Sequence, residues 1–415
     1  MLYIKEKTLL KYALYCNAIY ISLLFLFRPD GINLEKIFIS SFLAFSVFGT
    51  FAICFRNIQL LKNLSKNTRR LFYLLMFWST VVVFRSFSLS IQDWVTNFGN
   101  VYMALAWFTP ILIVLGQKID NWRIFFQAIF FMFSLMVISL FFLPFHLTAG
   151  KLKTEWSWLL RPINFVLLTG GIIGFKASIR FLIYITLLVY IIIAVLTEQR
   201  LEFIYLTMVL GLIFIDKLSQ VKLRKDLLKL SFFSALVLTI AIFTYGYENL
   251  NNLIMSIVEF QDTRVFLYNE LFENLNTFEK ITGRGSLGTY YSYFMEHTKH
   301  YTVNVLNYEW WGDSSTRITI EVGYLQMILK GGLILFILTA YFMLKASYLG
   351  IFKSNNKFVK RLGLYIFIIS VLSLISFRPA FTPTFILLWM AIGTVLNKKN
   401  RLMTDEEVNN LIKIN

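Results

Sequence analysis

Arg317 and Glu321 stand four residues apart at the mouth of an apolar run, in "WWGDSSTRITIEVGYLQMILKGG" at 310–332, and Lys330 follows deeper in the same run. A carboxylate beside a guanidinium can accept a proton from a hydroxyl once its surroundings raise its proton affinity. The plainer alternative is an i,i+4 ion pair that neutralises itself on entering a membrane. Asp313 and the serines after it can cap a helix that runs through both residues. Gly331-Gly332 then marks a flexible point about 20 Å further along.

Other charged residues raise the same question. Arg200 lies in "LTEQRLEFIY" between Glu198 and Glu202. On a helix those two glutamates share a face and Arg200 points elsewhere, free to take an anion or to pair with another helix. Arg85, Arg161 and Arg378 mark helix ends, the last two directly before a proline. They either snorkel to an interface or face a cavity. Arg284 sits in "ITGRGSLGTYY", which matches GxGxxG, but no strand precedes it and no βαβ unit surrounds it, so the dinucleotide reading fails. A tight turn that gathers backbone N–H groups around a guanidinium suits phosphate or pyrophosphate instead. His297 or His300 can serve as a base, and the spacing of Glu296, His297 and His300 does not make a metal site. The tyrosines and tryptophans at 290, 291, 293, 301, 308, 310 and 311 either stack on sugar rings or form an interfacial belt.

The elements that position these residues follow from composition. With 57% hydrophobic and 15% charged residues and a mean hydropathy of +0.65, the chain is not an ordinary soluble globule. Apolar runs long enough to cross a ~30 Å hydrocarbon core fall near 8–27, 35–55, 71–90, 98–117, 122–144, 158–174, 178–196, 200–216, 228–247, 318–345, 359–377 and 380–396. The expected fold is all-α: one polytopic transmembrane bundle of about twelve spans over residues 1–415, with one long extracytoplasmic loop at about 248–317.

Net charge is +17, which could suggest nucleic acid, but its placement speaks for topology. The clusters "RNIQLLKNLSKNTRR", "KLSQVKLRKDLLK" and "KSNNKFVKR" all fall inside when both termini are cytoplasmic. The 248–317 loop reverses the sign, with nine acidic residues against five basic ones. Cys16 and Cys54 lie in apolar runs, so no disulfide framework is expected. The N-terminus has no small-residue cleavage site and reads as an uncleaved first span.

The order of these parts resembles the bacterial O-antigen polymerase and O-antigen ligase superfamily, which includes capsule and exopolysaccharide repeat-unit polymerases. The resemblance rests on residues 262–340, with "DTRVFLYNE", "ITGRGSLGTYY" and "EVGYLQMILKGGLILFIL", and on "TEQRLEFIY" at 197–205. It implies a glycosyltransferase that joins polyprenyl-pyrophosphate-linked oligosaccharides at the outer face of the bacterial inner membrane, without metal or other cofactor. A chain-length regulator is an implied partner, alongside the lipid bilayer. Carried onto this chain, Arg200, Arg264 and Arg284 would hold the diphosphate. Glu321 would be the base or acceptor-orienting group, tuned by Arg317, with His300 as its substitute.

Ligases of the superfamily carry a histidine before the closing helix, where this chain has Arg317 and Glu321. That departure favours a polymerase over a ligase. A lipid-linked oligosaccharide flippase or other transporter is the main rival, though no repeated halves are visible. A membrane acyltransferase would want a buried histidine, and His146 is poorly placed for it.

Overall fold

The computed structural model describes residues 5–27, 34–86, 88, 90–140, 155–173, 175–196, 200–218, 265–293, 296 and 315–413. In chain order the helices are α1 (Glu6–Phe27), α2 (Leu34–Arg56), α3 (Lys66–Phe84), α4 (Ile91–Gly99), α5 (Ala104–Phe108), α6 (Ile113–Gly116), α7 (Asn121–Ser139), α8 (Glu155–Leu160), α9 (Pro162–Ile173), α10 (Ala177–Leu196) and α11 (Arg200–Leu218). There follow α12 (Val265–Asn274), α13 (Thr277–Thr282), strands β1 (Tyr290–Tyr291) and β2 (Thr316–Arg317), then α14 (Gly323–Phe352), α15 (Lys357–Leu372), α16 (Pro383–Leu396), α17 (Lys398–Leu402) and α18 (Asp405–Ile412). The molecule is mostly helical, as expected.

Five of the described helices, α1, α2, α7, α10 and α14, are long and apolar enough to cross a membrane. The pair α4 and α5–α6, bent by 49° at residues 100–103, makes a sixth if it counts as one broken span. Helix also occupies most of the other expected spans, while 228–247 lies outside the described residues. Local signals explain the boundaries. Ser65 caps α3, Asn276 and Glu279 form a reciprocal capping box on α13, and Thr404 and Glu407 form another on α18, each satisfying amide donors that a helix start leaves open.

The main core is aromatic. Trp122 of α7 stacks on Phe165 at 5.3 Å and meets Phe358 edge-on. Its indole N–H reaches Thr394 Oγ1 at 2.9 Å, so the ring is buried without an orphaned donor. A second, smaller core joins Leu267, Leu271, Leu275 and Tyr290 to Ile320, Val322, Leu325, Ile328 and Leu329. It fastens α12 and β1 to the start of α14.

One expectation about 310–332 is revised. No helix runs through Arg317 and Glu321. Residues 316–317 are a strand paired antiparallel with β1, Tyr290 opposite Arg317, and helix begins only at Gly323. The reason is tertiary: Val322 bridges to Phe377, and the Gly323 and Tyr324 amides donate to the carbonyls of Ser376 and Ser373. Asp313 lies outside the described residues.

The glycine pair, by contrast, does break the helix. Gly332 has φ +67° and ψ −171° inside α14, a region open to glycine alone. The break frees carbonyls that a membrane cannot hydrate. The Leu329 and Lys330 carbonyls accept from the amides of Arg284 and Gly285, at 2.8 and 2.9 Å, and the Gly331 carbonyl accepts from the Trp78 indole at 2.8 Å. A Cβ on Gly332 would lie 2.1 Å from the Ile281 carbonyl oxygen, and one on Gly283 (φ +72°) would lie 2.4 Å from the Lys330 carbonyl. Gly332→Ala should therefore cost more than about 1 kcal/mol and free the 283–288 turn. Faster tryptic cleavage after Arg284 in the folded protein would show it; an unchanged cleavage rate would refute the clamp.

Candidate functional site

The turn at 283–288 is engaged in holding the fold. Its amides at 284 and 285 bond the broken helix, and Lys330, fully buried, donates from Nζ to the Gly288 carbonyl at 2.8 Å. Arg284 is fastened as well. Nε and Nη2 reach the two oxygens of Glu279 at 3.0 Å each, Nη1 donates to the Thr289 carbonyl at 2.7 Å, and Nη2 also donates to the Asn274 carbonyl at 2.5 Å. Each of its three nitrogens is thus occupied by the protein, and no backbone amide of the turn's first half is left for a phosphate. Lys330, too, is a stitch between helix and turn.

The Arg284 hydrogen bonds hold the Glu279 carboxyl below its ordinary range, against a smaller opposing effect of burial. A lowered carboxylate contributes stability that is present above the unfolded value of about 4.3 and lost as pH falls through the folded value. The wild-type melting temperature should drop on acidification below that point by more than that of Glu279→Gln. Parallel pH profiles for the two proteins would refute this.

Arg317 and Glu321 do meet. Nη2 of Arg317 lies 2.6 Å from Oε1 of Glu321, across a non-helical stretch with bends at Ile318 and Glu321 instead of a helical turn. The Arg317 side chain is 16% exposed and that of Glu321 is 46% exposed, so the carboxylate is held on one oxygen and open on its other side. Between them, Thr319 accepts from Nη1 of Arg378 at 3.1 Å. Arg378 lies over the ring of Tyr102, 3.7 Å from its centroid, a cation–π contact that fixes a guanidinium without neutralising it. Among the described residues no carboxylate pairs with Arg378.

Arg378 is held there by a strained neighbour. Phe377 has φ +55°, a conformation a bulky residue adopts only when its surroundings enforce it. The Val322 bridge does so, together with Tyr205 edge-on at 5.4 Å and the Arg161 guanidinium at 4.6 Å over the Phe377 ring. Arg161 is itself neutralised by Glu202, at 2.6 Å. Glu202 also accepts from the Tyr190 hydroxyl at 2.7 Å, and the Asn164 amide donates to Tyr190 at 3.0 Å. Arg161 therefore does not snorkel. It ties α9 to α11.

Of the residues singled out in the sequence, Arg317 and Glu321 come together, while Arg284 stands in the turn packed on α14. Arg264 and His300 lie outside the described residues, as does the Arg200 side chain, although Arg200 opens α11. Arg85 donates from Nη1 to the Thr282 carbonyl at 2.8 Å. Sequence reasoning missed Tyr102 and left Arg378 outside the site. The available signal was the Arg-Pro pair, present at 161–162 and 378–379. Among the described residues no group of three His, Cys, Asp or Glu could hold a metal ion.

What the arrangement can do is acid–base and anion chemistry side by side. A half-exposed carboxylate lies two positions from Thr319, which accepts from a fixed guanidinium that no carboxylate pairs with among the described residues. Comparison with protein-family models and with curated proteins finds no match to this chain.

Proposed function

We propose that the protein is a glycosyltransferase that polymerises polyprenyl-pyrophosphate-linked oligosaccharide repeat units at the outer face of the bacterial inner membrane, in the manner of the O-antigen polymerases its sequence resembles. The observation that carries this reading is the Arg317–Glu321 pair beside Arg378. In the reaction an acceptor hydroxyl attacks the anomeric carbon of the donor repeat. The bond from that carbon to the diphosphate oxygen breaks, and a new glycosidic bond forms. Glu321, open on one side, takes the hydroxyl proton. The polyprenyl diphosphate leaves with the bonding electrons, and Arg378 opposes the charge it gains. Guanidinium suits that task because it stays charged and offers paired donors to phosphate oxygens. The diphosphate role first given to Arg284 passes in this proposal to Arg378. Arg200 and Arg264 remain further candidates on the resemblance alone.

The test is the size distribution of lipid-linked glycans and surface polysaccharide in a strain lacking the gene. Single repeat units on the carrier at the outer face, with long polymer lost, support a polymerase. Full-length polymer left on its carrier means a ligase, and repeat units trapped at the inner face mean a flippase. In the same assay Arg378→Ala should remove polymer and Arg378→Lys should restore part of it, since a point charge replaces only part of the fork. Normal polymer from Arg378→Ala would remove it from the site.

A further inference from the structure

Helices α2 and α3 follow each other through a short 3-10 turn (Ile58–Asn63), yet they scarcely touch along their length. Between them lies a cavity of about 630 Å³. Its walls are almost wholly apolar, with Val47, Phe48 and Phe51 of α2 facing Met76 and Phe77 of α3. The α2 wall extends from Ser40 to Phe55, which is ~22 Å of helix. Phe48 and Phe77 are exposed on its rim, so in a bilayer the groove opens sideways to lipid. A slot of this length and polarity suits a hydrocarbon chain and excludes a sugar.

One wall of the groove leads toward the candidate site. Phe98, Gly99 and Leu105 line the groove on either side of the α4–α5 break at 100–103. That break carries Tyr102, on whose ring Arg378 rests. The far side closes on the same segment, where the Phe381 amide donates to the Val101 carbonyl at 2.8 Å and Phe381 meets Phe51 edge-on at 6.0 Å. A chain lying in the groove would thus run past the segment that carries Tyr102, on whose other side the Arg378 guanidinium rests with no carboxylate partner among the described residues. An ordinary structural lipid would have no need of that continuity.

We propose that the α2–α3 groove seats the polyisoprenoid chain of the lipid carrier, entering sideways from the bilayer and delivering its diphosphate to Arg378. This rests on the glycosyltransferase reading for the identity of the lipid. The full-length protein in phospholipid vesicles is photolabelled with a polyprenyl diphosphate bearing a diazirine on its chain, and the labelled peptides are mapped. Label should fall on 43–55 and 76–80. Ala44→Trp and Thr80→Trp, which put an indole into the groove from its lining, should each cut labelling about tenfold, equivalent to about 1.4 kcal/mol. Ile37→Trp, on the exposed face of α2 and outside the groove, should leave it unchanged.

Label elsewhere, or undiminished label in both groove variants, overturns the proposal. Equal labelling of the same peptides by a diacyl phospholipid probe overturns it too, making the groove a site for bulk lipid. The two readings fail separately. Specific groove labelling with normal polymer in the deletion strain would sink the polymerase and spare the groove, whereas normal polymer from both groove variants alongside polymer loss in Arg378→Ala would do the reverse.

Discussion

Glu321→Gln is expected to abolish polymer while leaving the amount of protein in the membrane unchanged. The amide keeps the shape of the side chain and can still accept a hydrogen bond from Arg317, so the 2.6 Å contact survives as a neutral-acceptor bond. What it loses is the ability to take a proton. Removal of a positioned general base typically costs ~10²–10⁴ in rate, enough to erase long chains. The fold should tolerate the change because the carboxylate is 46% exposed, and exposed ion pairs contribute about 0–1 kcal/mol. An Arg317→Met control separates the roles: it should lower polymer less than Glu321→Gln, since it removes the partner and leaves the base. Wild-type chain lengths from Glu321→Gln at equal protein level would exclude the residue from the chemistry.

The second large effect is expected at a place with no chemistry of its own. Glu202 is only 2% exposed and is held by Arg161 and Tyr190. Breaking a buried pair by removing one partner typically costs ~3–5 kcal/mol, because the other charge is left buried and uncompensated. Arg161→Met and Glu202→Gln should therefore each lower the resistance of the detergent-solubilised protein to thermal unfolding by a comparable amount. The double variant should be much less damaged than the sum of the two, which a double-mutant cycle reads directly. Additive losses, or single losses below about 0.5 kcal/mol, would show that the pair is not coupled. Arg161 also packs on Phe377, so its variants should depress polymer formation by letting Arg378 drift. Glu202→Gln, which leaves that cation–π contact in place, should do so less.

How much of this was legible beforehand differs from residue to residue. The helical, apolar class followed from composition, because few arrangements other than helices satisfy the backbone in so much apolar chain. The glycine pair at 331–332 marks a weak point in the sequence and is one in the fold, since no other residue type takes φ +67° with ψ −171° at so little cost. The Arg317–Glu321 pairing is also legible, as opposite charges four residues apart in an apolar context. The helix that the spacing suggests is absent, because the end of a strand and a bent, non-helical stretch carry the pair.

The turn at 283–288 shows the opposite limit. "GRGSLG" reads as a phosphate cradle when its amides are taken to be free, and nothing in the six residues says that a helix 45 residues later will break and need them. Arg161 and Arg378 make the same point. Both are arginines before a proline at a helix end, yet one is matched by a glutamate on another helix and the other rests on a tyrosine with no carboxylate partner among the described residues.

The chain's own pattern thus determined which groups are charged, that most of the chain is helical and where the backbone can bend, since these depend on neighbours in sequence. The tertiary structure alone decided which of those charges are neutralised and which carbonyls the turn must cap. It also decided that α2 and α3 part to leave a groove. Those outcomes depend on which partner arrives in a medium where an unmatched charge or carbonyl is costly, and partners drawn from distant helices leave no local trace in the sequence.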